Sequence, residues 1–380
     1  MPVPVLHCYA DFKWTGPSEP VLQLCVGLSA RGWRSDLAVM QSAPGWRNEL
    51  AERARTAGIQ ATEAFEPPSR PGPLRALRDR RRLSHLIAQG GYRIVHCHGS
   101  WDHAIVGWTR SPHNAHAARV LRTDHGAREY RARWTWRYYF GPRMVDHLIV
   151  LSDRYVVRAV NQLRLAPRTV TAVRGAVNTE VFRPLDPPAG MRGSLSLARE
   201  DVLIGIVARV QRHRRFGVLL EAARIAKERD RRVKILVCGR GTRKAGILDR
   251  PVARQGLGDT VVSLGYRRDD YRETIALFDA GLMLVPGSDG SCRAAMEMAA
   301  MAKPLVVARR GVLPDIVRDA ETGIVVEDAP ENLAEAILEM AADAGRRKQW
   351  GEAGRERMCR HFSLSRQADE VIAVYERLLV

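Results

Sequence analysis

Pro286 to Pro304, PGSDGSCRAAMEMAAMAKP, joins the end of an apolar strand to an alanine-rich helix through a glycine-containing turn. Two carboxylates, Asp289 and Glu297, stand eight residues apart across that junction. A strand, a tight turn and a helix in this order make one unit of a parallel α/β sheet. Asp289 is expected in the turn and Glu297 about two turns along the helix. Between them the backbone N–H groups of Gly290, Ser291, Cys292 and Arg293 are expected to point at an anion docked on the helix start. Read alone, the string also fits a surface helix with an Asp near its N-cap and one exposed Glu.

The same alternation extends outward from this unit in both directions. In the first half, strands are expected at Val3–Cys8, Asp36–Val39, Ile94–Cys97, Val120–Thr123, Leu148–Leu151 and Val170–Val173. In the second half they are expected at Leu203–Val207, Lys234–Cys238, Val261–Leu264, Leu282–Val285, Leu305–Ala308 and Ile324–Val326. Helical segments separate them, so the fold class is α/β, with two doubly wound Rossmann-like domains facing a cleft. The chain of 380 residues is too long for one ordinary core. The proline-rich RPLDPP at Arg183–Pro188 is the natural linker, which gives domains of 1–183 and 184–362. A last helix near Ser365–Leu379 carries Ala368, Val371, Ile372, Tyr375, Leu378 and Leu379 on one stripe. That stripe should cover the first domain, making 363–380 part of it. Ligands of such sheets bind outside the carboxyl ends of the strands.

The net charge is +18, of which +12 falls in residues 1–190. It concentrates in Arg75–Arg82, within LRALRDRRRLSHLI, and in Arg131–Arg143, within RARWTWRYYFGPR. Arginine interleaved with Trp134, Trp136, Tyr138, Tyr139 and Phe140 suits an anionic membrane surface, where rings sit at headgroup depth and cations meet phosphate. Solvated helix faces in an arginine-rich chain account for the same charge, and nucleic acid is the weakest reading. Apolar runs such as Leu148–Leu151 and Gly281–Val285 are far shorter than a bilayer span, and no charged-then-apolar leader precedes Asp11. The expectation is a cytoplasmic protein, peripheral at most on the inner face of the membrane. Six scattered cysteines without a Cys-x-x-Cys pair indicate neither a disulfide framework nor a zinc site. His96 and His98 are expected to face opposite sides of their strand and so not to share a metal.

A second constellation is GIVARVQRHRRFGVLLEA, from Gly205, where a buried strand gives way to a helix starting near Phe216. Arg209 and Arg214 lie in the loop between them. Two cations at a sheet's carboxyl edge beside a helix start can neutralise a pyrophosphate without a metal. The loops Gly239-Arg240-Gly241 and Gly265-Tyr266-Arg267 follow neighbouring strands. Glycine there would let backbone approach a flat ligand, and Tyr266 would line a base.

Taken in order, these motifs resemble the family 4 retaining glycosyltransferases of the GT-B fold over nearly the whole chain. Asp289 and Glu297 take the places of the family's acid-x7-Glu donor signature, and Met301-Ala302-Lys303-Pro304 takes its closing punctuation. By this resemblance Arg209 and Arg214 hold the donor diphosphate, together with Gly290, Ser291, Cys292 and Arg293. Val173–Asn178, followed by Phe182 and Pro184, is similar to the family's interdomain segment, and Ile94–Gly99 to its Val-x-His-x-His strand end. Thr123-Asp124-His125 resembles the Thr-x-His whose histidine reaches the donor sugar, and Gly16, in Thr15-Gly16-Pro17, stands beside the transferred group. The resemblance implies catalytic roles for His125, Asp289, Arg209 and Arg214. It implies donor contacts from Gly16, Tyr266, Arg267 and Glu297, with no metal and no cofactor beyond a UDP- or GDP-linked sugar as co-substrate. The acceptor would be a saccharide or a lipid-linked saccharide. Asp289 is one methylene shorter than the usual glutamate, Ser291-Cys292-Arg293 replaces an aromatic-Gly pair, and Arg214 replaces lysine. A sugar-nucleotide 2-epimerase shares this architecture, and a non-catalytic basic surface binder would keep the arginines without needing Glu297 and Arg209.

Overall fold

A computed structural model describes residues 3–67, 73–110, 118–125, 144–287 and 290–380. The chain forms two compact units, 1–175 with 364–380, and 176–363.

The first unit is built on a seven-stranded sheet of β1 (Pro4–Tyr9), β2 (Arg34–Met40), β3 (Ala61–Phe65), β4 (Ile94–Cys97), β5 (Arg119–Asp124), β6 (His147–Val150) and β7 (Val170–Ala172). The spatial order is β3-β2-β1-β4-β5-β6-β7, all parallel. Both faces are covered, so β4 and β6 are buried at every position. β3 was not foreseen: ATEAF interrupts its apolar residues with Glu63, as suits an edge strand whose one face stays near solvent. The helix Leu364–Leu379 belongs to this unit. Its Val371, Val374 and Tyr375 pack into one cluster with Val5, Leu24, Leu28, Ile94, Leu121, Ile149 and Val173.

The second unit carries β8 (Val202–Val207), β9 (Val233–Cys238), β10 (Val261–Gly265), β11 (Ala280–Met283), β12 (Leu305–Ala308) and β13 (Gly323–Val326). They form a six-stranded parallel sheet in the order β10-β9-β8-β11-β12-β13. The helix Phe216–Arg229 buries Phe216, Leu219, Leu220 and Ala223 in the main core with Ile204, Ile206, Ile235 and Val237. Strand order reverses between β1 and β4 in one sheet and between β8 and β11 in the other. Such reversals open a crevice at the carboxyl ends of the strands.

The break between the units falls after Gly175, earlier than the Arg183–Pro188 segment. The reason is pairing: Val177 donates its N–H to Phe362 O at 2.8 Å and bridges Ser363, which ties 176 onward to the second unit before the prolines are reached. Among the described residues, no helix is long and apolar enough to cross a membrane. The aromatic-arginine stretch Arg131–Arg143 lies outside the described residues.

Candidate active site

In the second unit the foreseen residues gather on the carboxyl edge of β8, β9, β10 and β11. Arg209 is exposed in the loop after β8. Arg214 ends the short 3₁₀ turn Arg212–Arg214 and is buried. Its guanidinium donates to Val285 O at 3.2 Å and to Pro286 O, both just beyond β11. Arg214 thus spans the point where the strand order reverses and pins the entry to the Pro286–Pro304 segment.

Gly239 and Gly241 have a different reason from the one foreseen. A Cβ on Gly239 would stand 1.9 Å from Ala208 O, and one on Gly241 would stand 2.0 Å from Val210 O. These glycines let the loops after β8 and β9 run side by side, joined by Ala208 N–H to Cys238 O at 3.1 Å and Val210 N–H to Arg240 O at 3.0 Å. Tyr266 is 58% exposed, and the guanidinium of Arg240 lies 4.5 Å from its ring centroid, a cation–π contact. Arg267 is turned to its own loop, donating to Leu264 O at 3.0 Å and Asp270 at 2.9 Å.

The donor-signature helix runs from Arg293 to Ala300, so Glu297 lies one turn along it, not two. Gly290 has φ +67° and its N–H donates to Gly287 O at 3.2 Å, so this amide closes a turn instead of pointing outward. Cys292 is a buried non-glycine residue at φ +56°, the left-handed conformation that a glycine takes without strain. This is the physical content of the departure from an aromatic-Gly pair. Ser291 is buried beside it, and Asp289 lies outside the described residues.

Glu297 is 3% exposed, which excludes the reading of a surface carboxylate. The Tyr271 hydroxyl donates to its Oε2 at 2.6 Å, and Arg293 Nε lies 3.0 Å from its Oε1. Tyr271 packs edge-on against Phe182 at 6.1 Å between centroids. Burial, then the Glu297 charge, pushes the Tyr271 phenol well above its ordinary range, so it remains a donor. Sequence reasoning missed Tyr271, because nothing near it in the chain marks it and its partner is 26 residues away.

The first unit places histidines at its own strand-order reversal. His7 and His96 are register partners on β1 and β4. His98 is two residues beyond His96, and such positions share one face of a strand. The expectation that these two point apart is therefore corrected: their rings stack at 4.2 Å. His98 Nε2 meets His7 Nδ1 at 3.1 Å, and its Nδ1 meets His125 Nε2 at 3.2 Å. His96 is held by Tyr375 OH and Thr123 Oγ1, each at 2.7 Å. Burial draws His7 and His125 down to about 3, and His96 and His98 well below their ordinary value, so all four rings are neutral at neutral pH. Nearby, Asp102 Oδ2 accepts from the backbone N–H of His98 at 2.8 Å and of Gly99 at 2.7 Å, fixing the start of the helix Ser100–Thr109. Gly16 lies in the loop before the helix Ser18–Ser29, where Ser18 Oγ accepts from Thr15 N–H at 2.6 Å. A Cβ on Gly16 would meet nothing within 4 Å, and Glu19 sits in the first helical turn.

Residues 15–181 match the family model Glycosyltransferase Family 4, and residues 191–357 match Glycosyl transferases group 1. A D-inositol 3-phosphate glycosyltransferase of Saccharomonospora viridis is 27% identical over 352 residues, covering 86% of this chain and 74% of that protein. A glycosyltransferase from Rickettsia africae ESF-5 has a TM-score of 0.83 at 18% identity, covering 100% of this chain and 99% of that one. Anabaena Alr3699/HepE, solved in complex with UDP, has a TM-score of 0.81 at 14% identity, covering 99% and 100%. Two Rossmann-like units of this kind define an enzyme of the GT-B class. The chain belongs to the family 4 glycosyltransferases.

Proposed function

We propose that the protein is a retaining glycosyltransferase that moves a sugar from a nucleoside diphosphate to a hydroxyl of a saccharide or lipid-linked acceptor in bacterial envelope glycan assembly. The observation that carries this reading is Glu297, a buried carboxylate with the Tyr271 hydroxyl on Oε2 and Arg293 on Oε1, one turn into a helix at the sheet's carboxyl edge. A pair of ribose hydroxyls fits such a carboxylate, Arg293 moving from Oε1 to the diphosphate as they bind. Uridine is the base we assign, supported by the UDP bound to the Anabaena neighbour.

Arg209, Arg214 and the helix start meet the charge that gathers on the leaving diphosphate, so no metal is required. The acceptor attacks on the face the diphosphate leaves, a phosphate oxygen takes its proton, and His125 and Asp289 orient the sugar. The basic first half favours an acceptor carrying phosphate or another anion, in keeping with the phosphorylated inositol in the relative's name. A peripheral seat on an anionic bilayer is supported by the helix Pro73–Gly90. It exposes Leu74 (68%) and Leu77 (41%) beside the exposed Arg78, Arg80, Arg81 and Arg82.

The test is NMR of the full chain with UDP- and GDP-linked sugars, with and without candidate acceptors. The reading expects a glycoside of unchanged anomeric configuration that forms only when acceptor is present. A changed sugar nucleotide formed from donor alone would indicate a 2-epimerase, and an inverted product would remove the retaining assignment.

A further inference from the structure

The four contacting histidines of the first unit lie in two different arrangements. His7 and His98 have centroids 5.4 Å apart and planes only 16° apart, with nitrogens meeting at 3.1 Å. That is what two rings give when they meet edge to edge in nearly one plane. His98 and His125 repeat it at 5.5 Å, 29° and 3.2 Å. These three imidazoles form a single hydrogen-bonded row. His96 instead lies across the face of His98, with both nitrogens held by Tyr375 and Thr123.

His7, His96 and His98 can each bring a nitrogen within 4.8 Å of the others, which raises a metal site. A metal lies in the plane of every ring that binds it, and the face-on contact of His96 with His98 keeps their nitrogens out of a common focus. The row is the arrangement the geometry favours.

A neutral imidazole carries one N–H and one lone pair. In an unbranched row of neutral rings the tautomers are therefore linked, and only two polarities exist. In one, His125 donates inward and His7 ends the row with an N–H on Nε2. In the other, His7 donates outward and its Nε2 ends as a bare lone pair. His7 Nε2 is buried with no hydrogen-bond partner among the described residues. An orphaned buried N–H is the rarer and costlier of the two endings, so the row runs outward from His7 Nδ1 to His98 Nε2 and from His98 Nδ1 to His125 Nε2. His125, at the half-buried end, is left with its proton on Nδ1.

We propose that His7 and His98 are positioning residues that set the tautomer of His125, so that His125 meets its ligand as an uncharged Nδ1–H donor to an oxygen and not as a base. The identity of that oxygen, a hydroxyl or ring oxygen of the donor sugar, rests on the function proposed above. The tautomer itself does not, because it is a property of the free protein.

The test is long-range ¹H–¹⁵N NMR of the full chain with ¹⁵N-labelled histidine at pH 7.5, without ligand. His125 is expected to show its downfield, unprotonated signal on Nε2 and its proton on Nδ1. His98→Leu breaks the row and should return His125 to the Nε2–H tautomer that free imidazole side chains favour in water. The unsubstituted protein decides the matter even if this variant fails to fold. A wild-type His125 protonated on Nε2 overturns the proposal. So does stoichiometric zinc retained by the purified chain in elemental analysis, because a metal would take the lone pairs the row uses. Loss of glycosyl transfer with the wild-type tautomer as expected would count against the function and leave the positioning intact.

Discussion

Tyr271 fixes Glu297 through a 2.6 Å hydrogen bond to Oε2, leaving Oε1 to Arg293 at 3.0 Å. The phenol is itself anchored on Phe182.

Glu297→Ala should weaken UDP binding by about 1.5–3 kcal/mol, the scale of hydrogen bonds to a charged group. Tyr271→Phe should cost less, about 0.5–1.5 kcal/mol, because the carboxylate stays but loses its fixed orientation. Titration calorimetry that ranks the two the other way would remove the ribose role of Glu297.

Arg214→Ala should reduce turnover by roughly 10²–10³-fold if its charge stabilises the leaving diphosphate. It should also lower Tm, because the same guanidinium holds Val285 O and Pro286 O. Donor affinity measured alongside kcat separates the effects, and a defect confined to binding would leave Arg214 as a clamp without a transition-state role.

Gly239→Ala and Gly241→Ala place a methyl against the Ala208 and Val210 carbonyls, so each should destabilise the fold by about 1–3 kcal/mol. Gly16→Ala meets open space and should leave stability unchanged. Urea unfolding of the three variants checks the contrast. Equal Tm and midpoints for all three would show that the loops after β8 and β9 separate easily.

Stability should fall in acid. His7 and His103 are buried neutral with values lowered to about 3, against about 6.5 when unfolded, so between these limits the unfolded chain binds protons that the native one does not. The contribution is complete above pH 6.5 and is lost as pH falls toward 3, at roughly 1.4 kcal/mol per pH unit for each group. Asp102, raised by burial, works in the opposite direction below neutrality. Denaturation midpoints measured from pH 7.5 to 5 should decline, and a flat profile would show that the histidine cluster already opens to solvent.

The strands were legible because continuous apolar runs such as VLIGIV in β8 admit little else in a chain of alternating elements. β3 escaped because its five residues mix Thr62 and Glu63 with Ala and Phe. The donor-signature helix was found from its alanines, but its start was placed early, since the turn amide of Gly290 resembles a helix amide until its partner at Gly287 is known. Glu297 could be singled out by spacing, whereas Tyr271 could not, because their contact joins the first residue of the helix Tyr271–Ala276 to the helix Arg293–Ala300 across the fold and not neighbours in the chain. His96, His98 and His125 were visible individually, but His7 was not. The row of His7, His98 and His125 depends on the registers of β1 with β4 and of β4 with β5, which the local sequence does not carry, and His96 and His98 share a face of their strand where opposite faces were expected.

The sixteen-residue helix Leu364–Leu379 completes the hydrophobic core of the first unit, yet it is translated after the whole of the second. A nascent chain emerging from the ribosome therefore holds an unfinished first lobe, with Val5, Ile94 and Leu121 still lacking their cover, until the second lobe has been synthesised. Premature termination anywhere in 176–363 would leave that lobe a substrate for chaperones and proteases, so only chains read through to the last helix reach a durable state.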